Sequence, residues 1–265
     1  MDMEKIKIII RKEWAEIFKN KMIISSIIFM PLLMTAIPLV MLATLKNEGA
    51  SSASNTELPA QFAAICGEGL TSGECFQVYM VSSFMIMFMI TPLFIPVNIA
   101  AYSIVGEKTS RTLEPLLATP ITTAELLIGK NLSAVIPAVL GTWLGFIIFA
   151  VGAFIISGNS KVIGALVNPM WLLAVIVIGP LMAVLSVNFS MIVSSKVNDP
   201  RVAEQVSALV ILPVVGVFMG QMFGLFLLTE SLILVAAVVI GVIDAFLVYL
   251  TIQMFERENI LTRWK

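Results

Sequence analysis

Histidine is missing from this chain of 265 residues, and cysteine occurs only twice. Without histidine there is no neutral-pH proton shuttle, and the commonest metal ligand is gone. Ser-His-Asp and Cys-His nucleophile pairs are excluded on the same ground. Charge is scarce as well: charged residues make up 12% of the chain, against about 25% in an ordinary soluble domain. No phosphate-cradling G-x-x-x-x-G-K-[ST] occurs, since Gly129-Lys130 is followed by Asn131 and lacks the upstream glycine. Most enzyme classes end there.

Apolar residues are abundant, at 59% of the sequence. Several runs exceed the roughly 18 to 20 residues needed to cross a bilayer core of about 30 Å. The pattern predicts an all-α polytopic membrane protein with six transmembrane helices at 22–42, 79–105, 132–156, 171–193, 206–228 and 232–254. Pro31, Pro38, Pro92, Pro96, Pro137, Pro180 and Pro213 fall inside these runs. In a membrane helix they mark kinks, provided neighbours satisfy the carbonyls they free.

Fourteen of the sixteen lysines and arginines lie in the two termini and the alternate loops, leaving only Lys46 and Lys161 opposite. By the positive-inside rule both termini are cytoplasmic, as is the polar stretch 106–130, while 43–78 is extracellular. Residues 1–21 do not read as a signal peptide, because basic and apolar side chains are interleaved. Ile6, Ile10, Trp14 and Ile17 form one helical stripe flanked by Lys5, Lys7, Arg11, Lys12 and Lys19. Such a helix lies in the headgroup plane with its apolar face in membrane lipid. A basic flank that merely fixes orientation is the alternative.

Cys66 and Cys75 share the outer segment and are separated by a glycine-rich stretch. On an oxidising face they suit a disulfide; two reduced thiols are the other reading. No 20–50-residue repeat is visible, which weakens the case for a carrier built from repeated halves.

The stretch 106–130, GEKTSRTLEPLLATPITTAELLIGK, is a charged island between two apolar runs. Leu113, Leu116 and Leu117 share a helical face, with Lys108, Arg111 and Glu114 beside it. Thr119-Pro120 stops that helix, because a residue before proline is pushed out of the α region. Thr122 or Thr123 then caps a second short helix, with Glu125 near its positive end. Two short helices with a sharp bend are predicted, both exposed.

This island resembles the ABC-2 family of ATP-binding-cassette transporter permeases. The residues that carry the resemblance are Glu107-Lys108, Arg111-Thr112-Leu113-Glu114-Pro115-Leu116-Leu117, Thr119-Pro120, Glu125-Leu126-Leu127 and Gly129-Lys130. Arg111 stands where the family commonly has glycine. Arg11-Lys12-Glu13-Trp14 and the run from Arg201 to Pro213 extend the likeness along the chain. The resemblance implies an N-terminal interfacial elbow helix and a cytoplasmic coupling helix that fits a separate ATP-binding subunit. Glu107, Arg111, Thr112, Leu113, Glu114, Leu116, Leu117, Thr119, Pro120 and Glu125 would make that contact. ATP and Mg would be bound by that cytosolic subunit, with no cofactor in this chain. A second permease chain, identical or related, would complete an exporter in the plasma membrane of a prokaryote. Nucleic acid is not an expected partner.

Asp244 is the acidic residue deep in the sixth run, where a carboxylate costs about 2.5–3.5 kcal/mol on insertion scales. It should therefore face protein or water, with Gln221, Asn188 and Tyr249 as candidate partners. Either it serves a cation or proton pathway, or it is a packing hydrogen bond between helices. Met80, Met85, Met87 and Met89 form a stripe in the second run that suits lipid-facing packing or an adaptable cargo lining. Gly216, Gly220 and Gly224 give a double G-x-x-x-G that admits close helix approach. Beside the exporter stand two other readings: a channel or carrier that uses Asp244 without an ATPase, and a membrane scaffold.

Overall fold

An apolar segment in lipid must satisfy its backbone polar groups internally, and a helix does so with its own i→i−4 bonds. The computed structural model is helical, with no strand among the described residues, which are 2–47, 72–109, 112, 121–158, 164, 168–223, 225 and 228–255. In chain order the elements are α1 (Met3–Ile17), α2 (Lys21–Asn47), α3 (Ser72–Phe88), α4 (Thr91–Thr109) and α5 (Thr123–Ser157). Then follow α6 (Pro169–Leu173), a π-helical turn (Ala174–Ile178), α7 (Gly179–Lys196), α8 (Pro200–Ser207), a 3-10 turn (Ala208–Ile211), α9 (Leu212–Met222) and α10 (Glu230–Met254). Among the described residues six stretches are long and apolar enough to span: Ile23–Thr44, Cys75–Thr109, Thr123–Ser157, Pro169–Lys196, Pro200–Met222 and Glu230–Met254.

Three boundaries depart from the sequence reading. The second stretch is longer than 79–105 and is broken between α3 and α4, where Met89 and Ile90 make i→i−3 bonds ahead of Pro92. The fifth starts at Pro200, whose fixed φ suits a first helical position, behind an Asp199 cap that accepts from the Arg201 N–H. The third begins at Thr123, not near residue 132, and runs unbroken to Ser157. The second half of the island is thus the first turns of a span, not a separate short helix.

Prolines in these helices free carbonyls, and two tryptophans take them up. Pro137 has no N–H for the Ser133 carbonyl, and the Trp14 indole donates to it at 3.0 Å. In the π-helical turn the bonds skip to i→i−5, so Pro180 leaves the Val175 carbonyl open; Trp143 donates there at 3.3 Å. The first of these bonds also pins α1 to α5.

The second stretch is the hub and the most buried of the six. Helix α4 packs chiefly on α7, while α2 packs on α5. One apolar cluster gathers Met85, Phe88, Leu93, Phe149 and Trp171, with the Phe88 and Phe149 rings 5.4 Å apart. A second joins Ile95, Ile99, Ile104, Leu127, Val187 and Met191. Met85 and Met89 belong to the first cluster, which corrects the lipid-facing reading for those two, while Met80 and Met87 are only partly buried. Flexible thioethers fill the irregular space beside the helix break.

Helix α10 buries one stripe, Ile233, Ile240, Asp244 and Thr251, against the bundle, with Ala236 and Ala237 partly buried beside it, and exposes much of its opposite surface. Gly216 has open space where a Cβ would be, so no helix among the described residues closes on it. Cys75 is disulfide-bonded. Cys66, the other cysteine of the chain, lies outside the described residues, as do Arg111, Leu113, Glu114, Leu116, Leu117, Thr119, Pro120 and Gly224.

Candidate functional site

Helix α1 starts where the Asp2 carboxylate accepts from the Glu4 N–H, a standard N-cap bond. Its buried face is Ile6, Ile9, Glu13 and Ile17, at i, i+3, i+7 and i+11. This face packs on α5, so closely that a Cβ at Gly129 would meet Ile9 Cγ2 at 2.7 Å. The apolar stripe is therefore turned largely onto the protein, whereas the sequence reading turns it to lipid. Glu13 is the exception on that stripe: an acidic side chain 3% exposed.

Its cation is Lys130, the residue after Gly129 and 4% exposed. Lys130 Nζ lies 2.9 Å from Glu13 Oε1, 2.7 Å from Ser103 Oγ and 2.9 Å from Glu107 Oε2. Ser103 and Glu107 share a face of α4 at i and i+4. The Ser103 hydroxyl accepts from Lys130 and donates to Glu13 Oε2 at 2.7 Å. Lys12 closes the ring from the rim: it donates to Glu107 Oε1 and lies 3.5 Å from both Glu13 Oε1 and Glu16 Oε1. Two lysines and two buried glutamates are thus ion-paired across three helices.

The charges are tuned accordingly. Burial alone would raise the Glu13 carboxyl, but the Lys130 ammonium, with hydrogen bonds from Lys130 and Ser103, holds it below its ordinary value of 4.5. Burial would likewise lower Lys12, yet its hydrogen bond and attraction to Glu107 raise it above 10.5. Both shifts favour the ionised forms.

The ring grips the island at both ends. Glu107 stands at its entry and Lys130 at its exit, and each is tied to α1. A second tie lies at the start of α5. Thr122 and Glu125 form a reciprocal capping box, and Glu125 Oε1 also accepts from the Asp2 N–H at 2.8 Å. One carboxylate thereby serves two helix N-termini, the electrostatic position it prefers. At the other flank Lys108 donates to the Ser195 carbonyl at 3.3 Å, near the end of α7.

The sequence reading puts Glu107 and Glu125 on a surface for another subunit; the structure buries both against this chain. Thr112 stays exposed, with its N–H bonded to the Glu107 carbonyl at 3.1 Å. Of the three polar residues proposed within the membrane, no two are joined by a hydrogen bond among the described residues. Asn188 instead exchanges 3.3 Å bonds with Asn131 and donates to the Val184 carbonyl. Gln221 Oε1 and both Asp244 oxygens are buried and have no hydrogen-bond partner among the described residues. Tyr249 is exposed and accepts from Gln253.

Lys12, Glu13, Ser103 and Lys130 escape motif reading as a set. Only one signal was available for them: Glu13 interrupts the buried face of an amphipathic helix, which demands a cation.

No curated protein matches the chain. The family model for an ABC-2 family transporter protein matches residues 7–255, from within α1 to the end of α10. The matched stretch includes every residue of the ionic ring and all six apolar helices. The chain therefore belongs to the ABC-2 transporter family of multi-pass membrane proteins.

Proposed function

We propose that this chain is the permease subunit of an exporter worked by a separate cytosolic ATP-binding subunit. That subunit binds ATP and Mg, and docks on 106–130, with Arg111, Thr112, Leu113, Glu114, Leu116, Leu117, Thr119 and Pro120 as contacts. Two permease chains, identical or related, form the pathway in the plasma membrane of a prokaryote. The distribution of lysine and arginine supports cytoplasmic termini and a cytoplasmic docking segment.

The ionic ring is the observation that carries this reading. A segment that receives force from outside must not fold away from its own helices. Here both of its ends are tied to α1 and to the second and third spans by ion pairs, buried at Lys130 and at the rim for Lys12. Displacement of the segment is thus passed to three helices together. Co-purification of an ATP-binding subunit with this chain tests the reading. Changing Glu114 and Leu117 together should abolish it without loss of folded permease; retention of the subunit would count against docking there.

Asp244 favours a second reading, a carrier that needs no ATPase, because its buried carboxylate has no partner among the described residues. Transport by reconstituted vesicles that hold this chain alone, lost in Asp244→Asn, would favour that alternative.

A further inference from the structure

Outside the ring, α2 and α5 leave an apolar groove between them. Its floor is built from Pro31, Gly141 and Gly145, and its walls include Leu32, Leu140 and Leu144. The cavity measures about 350 Å³, at the small end of ligand pockets. The floor is closed by ordinary packing, since a Cβ at Gly145 would meet Pro31 Cβ at 3.4 Å. The wall residues Leu32, Leu140 and Leu144 are among the exposed large apolar side chains of the protein. The groove thus opens sideways, to whatever surrounds the helices. In a membrane that surrounding is lipid.

The sequence of α2 says which end of a lipid would lie where. Lys21, Ser25, Ile28, Leu32 and Thr35 follow one another at i, i+4, i+7, i+11 and i+14, one face of the helix. Lys21 and Ser25 are exposed, and exposed Lys19 adjoins them just before α2. Lys21 precedes Ile28 by about 10 Å of helix and Thr35 by about 21 Å, at 1.5 Å per residue. The stripe is therefore basic, then small and polar, then apolar. An anionic headgroup followed by an acyl chain has that order. Thr35 adds no polar demand, because its hydroxyl is already donated to the Leu32 carbonyl at 2.8 Å.

We propose that the α2–α5 groove is a binding site for a membrane phospholipid, with an acyl chain between Leu32 and Leu144 and an anionic headgroup held by Lys19 and Lys21. The lipid fills the space beside Pro31 and sits on α5, the helix that carries Lys130.

The test uses the whole chain in phosphatidylcholine nanodiscs doped with acyl-diazirine phosphatidylglycerol or acyl-diazirine phosphatidylcholine, with photo-adducts mapped by mass spectrometry. Adducts should concentrate on Ile28, Leu32, Leu140 and Leu144 over the equally exposed Val238 and Phe246 of α10. Leu144→Trp, which fills the groove from its rim, should remove the groove adducts and spare those on α10. Lys19→Glu with Lys21→Glu, both at exposed positions, should cut phosphatidylglycerol adducts by about five-fold per lysine, and phosphatidylcholine adducts far less. Adducts spread evenly over all exposed apolar faces would overturn the proposal, leaving only general lipid contact. So would equal loss of both lipids in the lysine variant, or a groove filled by a second copy of the chain or by an apolar cargo.

Discussion

The buried carboxylates at the two ends of the island and the one in the sixth span are treated in opposite ways. At the island's ends, Glu13 and Glu107 are 3% and 5% exposed and are matched by Lys12, Lys130 and the Ser103 hydroxyl. In the sixth span, Asp244 is as deeply buried, yet neither of its oxygens has a hydrogen-bond partner among the described residues. Burying a charge is expensive unless it is paired and hydrogen-bonded. The ring meets that condition within one chain, so it reads as built to hold. Asp244 does not meet it among the described residues.

Lys130→Met should break the contrast most severely. It leaves Glu13 and Glu107 buried with one half-exposed cation between them, a loss of about 3–5 kcal/mol. Thermal unfolding of the purified chain in detergent would register it, and α1 should become protease-sensitive first. A wild-type midpoint would show that the ring contributes nothing.

Asp244→Leu should move stability the other way, by about 1–3 kcal/mol, because a buried group without partners is removed. A destabilisation as large as that of Lys130→Met would instead mean that Asp244 is paired in the assembled protein. The two substitutions together therefore test whether the distinction is real.

Trp14→Phe keeps the ring but orphans the Ser133 carbonyl freed by Pro137. A loss of about 1–2 kcal/mol is expected, read as a lower unfolding midpoint. Gel-filtration behaviour should not change.

Acid sharpens the comparison with the smallest effect. Glu13 is held below 4.5, so its contribution is fully present above that value and lost as pH falls through its lower folded value. Lys12 is held above 10.5, so its contribution is present below that value and lost only as pH rises through its higher folded value. The ring's contribution should be flat between these limits and decline first in acid. An unfolding midpoint that already drops at pH 6 in wild type, but not in Glu13→Gln, would contradict the assignment.

Much of the architecture was legible in the sequence because the bilayer imposes a length on every apolar run. The six runs, the break near Pro92, and the Thr122–Glu125 start of α5 all follow from local chemistry. The extent of α5 did not, because nothing in Leu126–Asn131 states that a polar-flanked turn continues a span. The Lys130 ammonium is accommodated there only because α1 and α4 bring carboxylates to it. Glu107 and Glu125 look like surface charges for the same reason. Their partners Lys12, Lys130 and the Asp2 N–H are remote in sequence.

By itself the sequence determined a helical, six-span membrane protein and the polar stretch on which its family is recognised, since hydropathy and capping act over a few residues. Tertiary structure alone decided which face of α1 is covered, which indole takes up which freed carbonyl, and which buried charges are paired. Those outcomes depend on side chains converging from helices distant along the chain, and a buried ion gains stability only where its counter-ion arrives within hydrogen-bond reach.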